Sequence, residues 1–389
     1  MKRFVVLFAM VLVLAATLLH APRVFADDHG QPGPPAAPAP GKLIPDQYIV
    51  VLKEQGNARA VAAIVGADPK YVYEHVLNGF AAELNPGQLA ALQHNPDVEY
   101  VEQDQEVVLD ATQYMDANGD PWGLDRIDER DLPLSGSYTY AYTGSGVRAY
   151  IIDTGLQADH PEFGTRALNV YDAFGGNGAD CNGHGTHVGG TVAGKTYGVA
   201  KNAYLRGVKV LDCNGSGSTS GIIAAVDWVR KNRINPAVAN LSLGGGYSSS
   251  LNTAVNNLAN SGVFVAVAAG NSNANSCNYS PSSAAYAFTT AASDKSDYKA
   301  SFSNYGTCVD AYAPGVTIKS AWISGGVKTI SGTSMAAPHV TGVAALYKHK
   351  YGDVSSSEIT SWVKNNATLD HIKSNPSGTP NRLLYKSGL

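Results

Sequence analysis

With 389 residues, 15% of them charged, and a formal net charge of −4, the chain is long enough for a sizeable core and for two or three domains. It lacks the basic density of a nucleic-acid binder, and beyond its N-terminus no run is long and apolar enough to span a bilayer. Charge is unevenly placed: residues 27–110 carry 13 acidic and 4 basic side chains, a net of −9, whereas residues 111–389 carry 19 and 21, a net of +2. That contrast predicts two units with different fates.

In chain order, Lys2 and Arg3 precede an apolar run from Phe4 to Leu19, and Val24-Phe25-Ala26 follows with modest side chains. Residues 1–26 read as a secretory signal peptide, because Arg23 and the Pro-rich stretch beyond it do not suit an anchor. The protein is therefore expected outside the cell. Residues 27–41 contain "QPGPPAAPAPG", a stiff linker with no core-forming side chains. Within residues 42–110, "YIVVL" (48–52) reads as a strand, "NARAVAAIVG" (57–66) as a helix and "HVLNGFAAEL" (75–84) as a strand region. "PGQLAALQHN" (86–95) reads as a second helix and "VEYVEQ" (98–103) as a last strand. With room for one more strand, this fits a small ferredoxin-like α+β unit.

From about residue 121 the rhythm lengthens. "VRAYIID" (147–153), "AYLRGVKVL" (203–211), "AVANLSL" (237–243) and "GVFVAVAAG" (262–270) are nearly continuous apolar runs, as strands buried on both faces should be. "STSGIIAAVDWVRKN" (218–232) and "SSLNTAVNNLANS" (249–261) between them have helical periodicity. Residues 111–389 are thus expected to form an α/β domain, a mostly parallel sheet with helices on both faces. Ligands in such folds bind outside the carboxyl ends of the strands.

Four residues on separate segments fall at that edge. Asp153 ends the first strand, His184 lies in "NGHGTHVGGTVAG", Asn271 ends "VFVAVAAGN", and Ser334 lies in "ISGTSMAAPHVTG". Singly each has an ordinary reading as a turn former, cap or packing residue. Together they supply acid, imidazole, amide donor and hydroxyl. A serine hydroxyl becomes a useful nucleophile only when a base takes its proton and a third group fixes that base. The assignment is Ser334 as nucleophile, His184 as base, Asp153 as its orienting acid, and Asn271 with the Ser334 N–H as oxyanion donors.

The motifs "DTG", "GHGTHVGGT" and "GTSMAAPH", in the order Asp, His, Ser, resemble those of the subtilisin-like serine proteases. The likeness runs from "PWGLDRID" (121–128) to "PNRLLY" (380–385), and "NGSGSTSG", "SLGGGYSSS" and "SFSNYG" are similar to the proteinase K and aqualysin branch. It implies a serine endopeptidase acting on polypeptides. Gly215, Ser216 and Gly217 on one side, and Ser242, Leu243 and Gly244 on the other, would flank an extended substrate backbone. Neither stretch carries a charge, so broad cleavage after bulky apolar residues is expected. The acidic block resembles the inhibitory propeptides of the same family, which act as intramolecular inhibitor and folding aid and are cut off near residue 111. By the same resemblance, Asp310 with the main-chain carbonyls of Ala285 and Ala287 would hold a structural calcium, and Asp125 and Asp128 suggest a second. No organic cofactor is expected, and the enzyme is expected to act as a monomer without nucleic acid or membrane.

Cys181, Cys213, Cys277 and Cys308 allow three disulfide connectivities in an exported chain. Pairing of neighbours, Cys181 with Cys213 and Cys277 with Cys308, closes the shortest loops and is the expectation, each worth about 3–4 kcal/mol in the chain-entropy picture. A zinc site from Cys181, His184 and His187 is the competing reading, weakened by the missing C-x-x-C. Two rival functions make different demands on the sequence. An inactive peptide-binding relative should have lost a catalytic residue. An α/β-hydrolase should carry G-x-S-x-G and the order Ser, acid, His. Neither feature is present.

Overall fold

The computed structural model describes residues 43–108 and 121–389. The expected signal peptide, linker and cleavage region around residue 111 lie outside the described residues. The N-terminal block runs β1 (Leu43–Leu52), α1 (Ala58–Ile64), β2 (Pro69–Tyr73), β3 (Gly79–Glu83), α2 (Pro86–Gln93) and β4 (Val98–Val108). This is the β-α-β-β-α-β order of a ferredoxin-like unit, and β2 fills the place left for one more strand. Both helices start on an asparagine. Asn57 Oδ1 accepts from Ala60 N at 3.0 Å, and Asn85 with Gln88 closes a capping box.

One element is shorter than its pattern. Of the strand expected over 75–84, only Gly79–Glu83 pairs as one. The N–H groups of His75 and Val76 instead donate to Asp227 Oδ1 at 2.6 and 2.7 Å. Alternation along β1 gives the block two apolar faces. Val50 and Leu52 pack with Phe80, Val61 and Leu92 in the block's own core, while Ile49 and Val51 join a core that continues into the rest of the chain.

The second block runs α3 (Trp122–Asp128), β5 (Arg148–Asp153), β6 (Ala167–Asp172), α4 (His184–Ala193), β7 (Tyr204–Lys209), β8 (Ser216–Ser218) and α5 (Thr219–Asn232). It continues β9 (Ala237–Leu241), β10 (Gly245–Gly246), α6 (Ser249–Asn260), β11 (Phe264–Ala268), β12 (Tyr279–Ser280), β13 (Phe288–Ser293) and β14 (Ala311–Pro314). It ends with β15 (Ile318–Trp322), β16 (Gly326–Ile330), α7 (Thr333–Tyr351), α8 (Ser356–Asn366), β17 (Thr368–Leu369) and β18 (Arg382–Leu383). Nine strands form one sheet in the order β17-β18-β14-β13-β11-β9-β5-β7-β6. The pairs are parallel except β17 with β18 at one edge.

Helices cover both faces, as expected for strands without a polar side. Ala149 and Ile151 of β5 face Val188, Val192 and Val340 of α4 and α7. Tyr150 and Ile152 face Ile222, Val226, Leu251 and Val255 of α5 and α6. β5 lies between β7 and β9, where the strand order reverses, so its carboxyl end opens at a topological switch point. Among the described residues no helix is long and apolar enough to cross a membrane.

The two blocks also share a strand pairing. β4 pairs antiparallel with β8, with Glu106 opposite Ser218, Val107 opposite Gly217 and Val108 opposite Ser216. Two carboxylates of β4 sit at helix starts, where backbone N–H groups lack partners and favour negative charge. Glu102 accepts from Ser248 Oγ and, at 3.0 Å, from Ser249 Oγ at the start of α6. Asp104 accepts from Ser220 Oγ and, at 2.9 Å, from Ser220 N in the first turn of α5. Burial pushes the Asp104 carboxyl up, and the bonds from Ser220 pull it back in part.

Candidate active site

Asp153 is the last residue of β5 and is fully buried. Its Oδ1 lies 2.8 Å from His184 Nδ1 and also accepts from Thr154 N at 2.7 Å. His184 opens α4, and the turn before it is built around Asp180. Asp180 Oδ1 accepts from Asn182 N, Gly183 N and Thr154 Oγ1 at 3.0, 2.9 and 2.9 Å. Its Oδ2 accepts from Thr186 N and Thr186 Oγ1 at 2.9 and 2.6 Å. Gly183 has φ +109°, and a Cβ there would come within 2.3 Å of the Trp322 ring. Only glycine suits both the turn and the packing.

Nδ1 of His184 is engaged by the acid, so Nε2 is the nitrogen left to act as base. Nε2 is buried and has no hydrogen-bond partner among the described residues. One turn on, His187 directs Nε2 to the carbonyls of Ile318 and Lys328 at 3.0 and 3.1 Å. Burial, with the adjacent His184 adding to it, pushes His187 down to about 3. The residues weighed for zinc thus have other partners. Cys181 is bonded to Cys213, and His187 holds the β15–β16 hairpin.

Ser334 is the second residue of α7 and is buried at the same edge. Pro338 lies four residues on and has no N–H to give the Ser334 carbonyl. Ser242 Oγ donates to that carbonyl instead, at 2.7 Å, and the Ser334 hydroxyl donates back to the Ser242 carbonyl at 3.2 Å. Asn240 Nδ2 donates to Ser242 Oγ at 2.8 Å, and Asn240 Oδ1 accepts from Thr341 Oγ1 at 2.9 Å. Asn271 follows β11. Its Oδ1 accepts from Thr333 N at 2.8 Å and Thr333 Oγ1 at 2.9 Å, while Thr333 Oγ1 accepts from Gly270 N at 3.1 Å. With Oδ1 held on that side, the amide NH2 is turned the other way.

Of the two expected substrate edges, Gly215–Gly217 carries most of β8 and is the edge on which β4 lies. A Cβ at Gly217 would lie 2.3 Å from the Val210 carbonyl, so the edge needs glycine for close approach. Ser242 is tied to Ser334, Leu243 is buried, and Gly244 precedes β10. Beyond that second edge, Gln105 Nε2 of β4 donates to the Tyr247 carbonyl at 3.0 Å. Thr333, Asp180 and Asn240 were not singled out in the sequence. Asp180 had a signal, an acid just ahead of a small-residue helix, which is a start signal.

Both neighbour disulfides are present, Cys181–Cys213 with Cα atoms 4.9 Å apart and Cys277–Cys308 with 5.3 Å. The first bridges the turns before α4 and β8. The calcium expectation meets groups already engaged. Asp310 Oδ1 lies 2.5 Å from Lys364 Nζ, and its Oδ2 accepts from Thr289 N at 2.7 Å. Asp128 Oδ1 lies 2.7 Å from Lys386 Nζ, and Asp125 accepts from Gly136 N at 2.7 Å and Ser135 Oγ at 3.2 Å. Among the described residues no cluster of three or more His, Cys, Asp or Glu gathers to hold a metal. As they stand, neither set fits a divalent cation, whose six to eight oxygens would have to include carboxylates now held by ammonium or N–H groups.

Comparison with known proteins agrees with this geometry. The profile of the "Subtilase family" of peptidases matches residues 144–385, and that of "Peptidase inhibitor I9" matches residues 47–110. The chain is 48% identical to an extracellular serine proteinase of Thermus sp., over 88% of this chain and 90% of that protein. It is 47% identical to alkaline serine exoprotease A of Vibrio alginolyticus, over 91% and 71%, and 43% identical to proteinase R of Parengyodontium album, over 96% and 98%. The crystal structure of a cold-adapted subtilisin-like serine proteinase aligns with TM-score 0.67 at 51% identity, covering 68% of this chain and 97% of that one.

Proposed function

The chain belongs to the subtilase family of serine peptidases, and on that premise we propose that it cleaves polypeptides through an acyl-enzyme on Ser334, with His184 as base and Asp153 as its orienting acid. The observation that carries this reading is the buried 2.8 Å contact between Asp153 and His184 Nδ1, at the switch-point edge where α7 presents Ser334. In the reaction the Ser334 hydroxyl turns from the Ser242 carbonyl to His184 Nε2, gives up its proton and attacks the substrate carbonyl. Protonated His184 is stabilised by Asp153 and then delivers the proton to the leaving amine. The Asn271 NH2 and the Ser334 N–H hold the oxyanion, and the start of α7 adds a favourable field. Ser242, bonded both ways to Ser334, keeps the nucleophile's backbone in place although Pro338 withholds a helix hydrogen bond.

Substrate lies as an added strand along Gly215–Gly217 with Ser242–Gly244 on its other side, and uncharged edges favour bulky apolar residues before the scissile bond. The pairing of β4 with β8 supports the N-terminal block as the chain's own inhibitor, since it lies on the edge that substrate would use. The enzyme is exported as a precursor and cut near residue 111 by its own active site. The test is labelling with an irreversible organophosphorus inhibitor followed by peptide mapping. Label on Ser334, with Ser334→Ala unlabelled and still carrying its N-terminal block, is the expected result. Label elsewhere, or a Ser334→Ala protein that matures and hydrolyses casein, overturns the assignment.

A further inference from the structure

Two carboxylates that the family resemblance marks as calcium ligands are instead met by lysine ammonium groups from the C-terminal part of the chain. Asp310, just before β14, pairs with Lys364 of α8 at 2.5 Å. The two line a cavity of about 270 Å³ together with Ala285, Tyr286 and Ala287, the segment expected to offer carbonyls to a metal. Asp128, at the end of α3, pairs with Lys386 at 2.7 Å, and there the lysine is almost fully buried. The Lys386 ammonium also donates to the carbonyls of Ser387 and Leu389, both at 3.2 Å, while its backbone N donates to Ile127 O at 2.8 Å. An ammonium surrounded by a carboxylate and two carbonyls has the hard-oxygen environment that a cation site provides, and its own backbone tethers it there.

We propose that Lys364 and Lys386 are the chain's own counter-cations for Asp310 and Asp128, so that the enzyme holds its fold without a divalent ion at either place. The physical argument is compensation. A buried carboxylate needs an opposite charge, and a covalently attached ammonium supplies it at any calcium concentration. A calcium ion arriving at either carboxylate would first have to displace a bonded ammonium and then sit beside its positive charge.

The test uses secreted mature enzyme inactivated with an irreversible inhibitor, so that self-digestion does not obscure the melt and no activity readout is needed. Thermal unfolding is followed in chelator and in millimolar calcium, and calcium alone is titrated calorimetrically. Wild type should change Tm by under about 2 °C and take up no calcium dependent on Asp310 or Asp128. A resident calcium at a thousand times its Kd would move Tm by roughly 10 °C. Lys364→Met and Lys386→Met should each melt lower in chelator, and Lys364→Met should recover with calcium. The wild-type titration stands even where a lysine variant is not secreted. Calcium uptake by wild type that disappears in Asp310→Asn or Asp128→Asn, with a chelator-induced fall of about 10 °C, overturns the proposal.

Discussion

Pro338 removes one N–H from α7, and the place where it does so decides how Ser334 is held. The orphaned carbonyl is that of Ser334 itself, and Ser242 Oγ fills it at 2.7 Å. A helix that would otherwise bind its own second residue thereby hands that residue's backbone to the strand-end segment across the cleft. Thr333 does a similar service for Asn271, whose Oδ1 accepts from both the Thr333 N–H and its hydroxyl. Asn271→Ala should lower kcat by roughly 10²–10³ with little change in KM, the range for removing one such donor from a related oxyanion hole. Thr333→Val keeps the N–H but loses the hydroxyl, and the lost bond to Asn271 should lower kcat roughly tenfold, the worth of about one hydrogen bond, beside the bond from Gly270 N that is lost with it. Steady-state kinetics on a peptide anilide separates the outcomes, and a raised KM at unchanged kcat in either variant would mean these residues bind ground-state substrate. Asp153, His184, Asn271 and Ser334 could be picked out in the sequence because each ends an apolar run or sits in a glycine-rich break. Thr333 could not, because its effect passes through hydrogen bonds to neighbours that no periodic pattern encodes, and Asp180 showed only as an acid ahead of a helix start, with nothing to say how many groups it holds.

Among the elements, the short strand β8 carries the most consequence for its length. Its three residues pair with the end of β4, and the same strand sends Glu102 and Asp104 to the starts of α6 and α5. Asp104→Ala would leave the Ser220 N–H buried without its acceptor, a loss of about 1–3 kcal/mol. A separately made N-terminal block carrying that change should therefore inhibit the mature enzyme roughly 10- to 100-fold more weakly. An inhibition constant equal to that of the unchanged block would show that the strand pairing alone sets affinity. The long buried strands β5, β7, β9 and β11 were legible because sheets covered on both faces leave continuous apolar runs. β2, the shortening of β3 and the two-residue strands were not. "PKYVY" mixes charge with aromatics and has no clean alternation, and residues 75–78 are shaped by Asp227, 150 or so positions away in the chain. The disulfide pairing was favoured by loop length alone, and the fold brings both pairs within bridging distance, with Cα atoms 4.9 and 5.3 Å apart.

At the scale of the whole molecule, the price of a buried, polar cleft wall is sensitivity to acid. His187 and His339 are both fully buried, and burial pushes them down to about 3 and about 4 from an unfolded value of 6.5. His187 ties α4 to the hairpin β15–β16, and His339 Nδ1 bonds the Met335 carbonyl within α7 at 2.8 Å. In the folded enzyme both rings stay neutral, whereas in the unfolded chain both take up a proton below pH 6.5. Their contribution is therefore fully present above pH 6.5 and is lost as the pH falls toward 4 for His339 and 3 for His187. Burial raises the Asp310 carboxyl, which acts in the opposite sense from the ordinary carboxylate value upward, so the histidine part is best read from a variant and not from the total curve. His187→Asn can still donate to a hairpin carbonyl but cannot titrate. Denaturant unfolding of inhibitor-inactivated enzyme between pH 7.5 and 4.5 should fall with a slope of up to about two protons in wild type and about one in His187→Asn. Parallel slopes in the two proteins would mean that His187 is already protonated in the fold, and that the hairpin contact with α4 is made by an imidazolium.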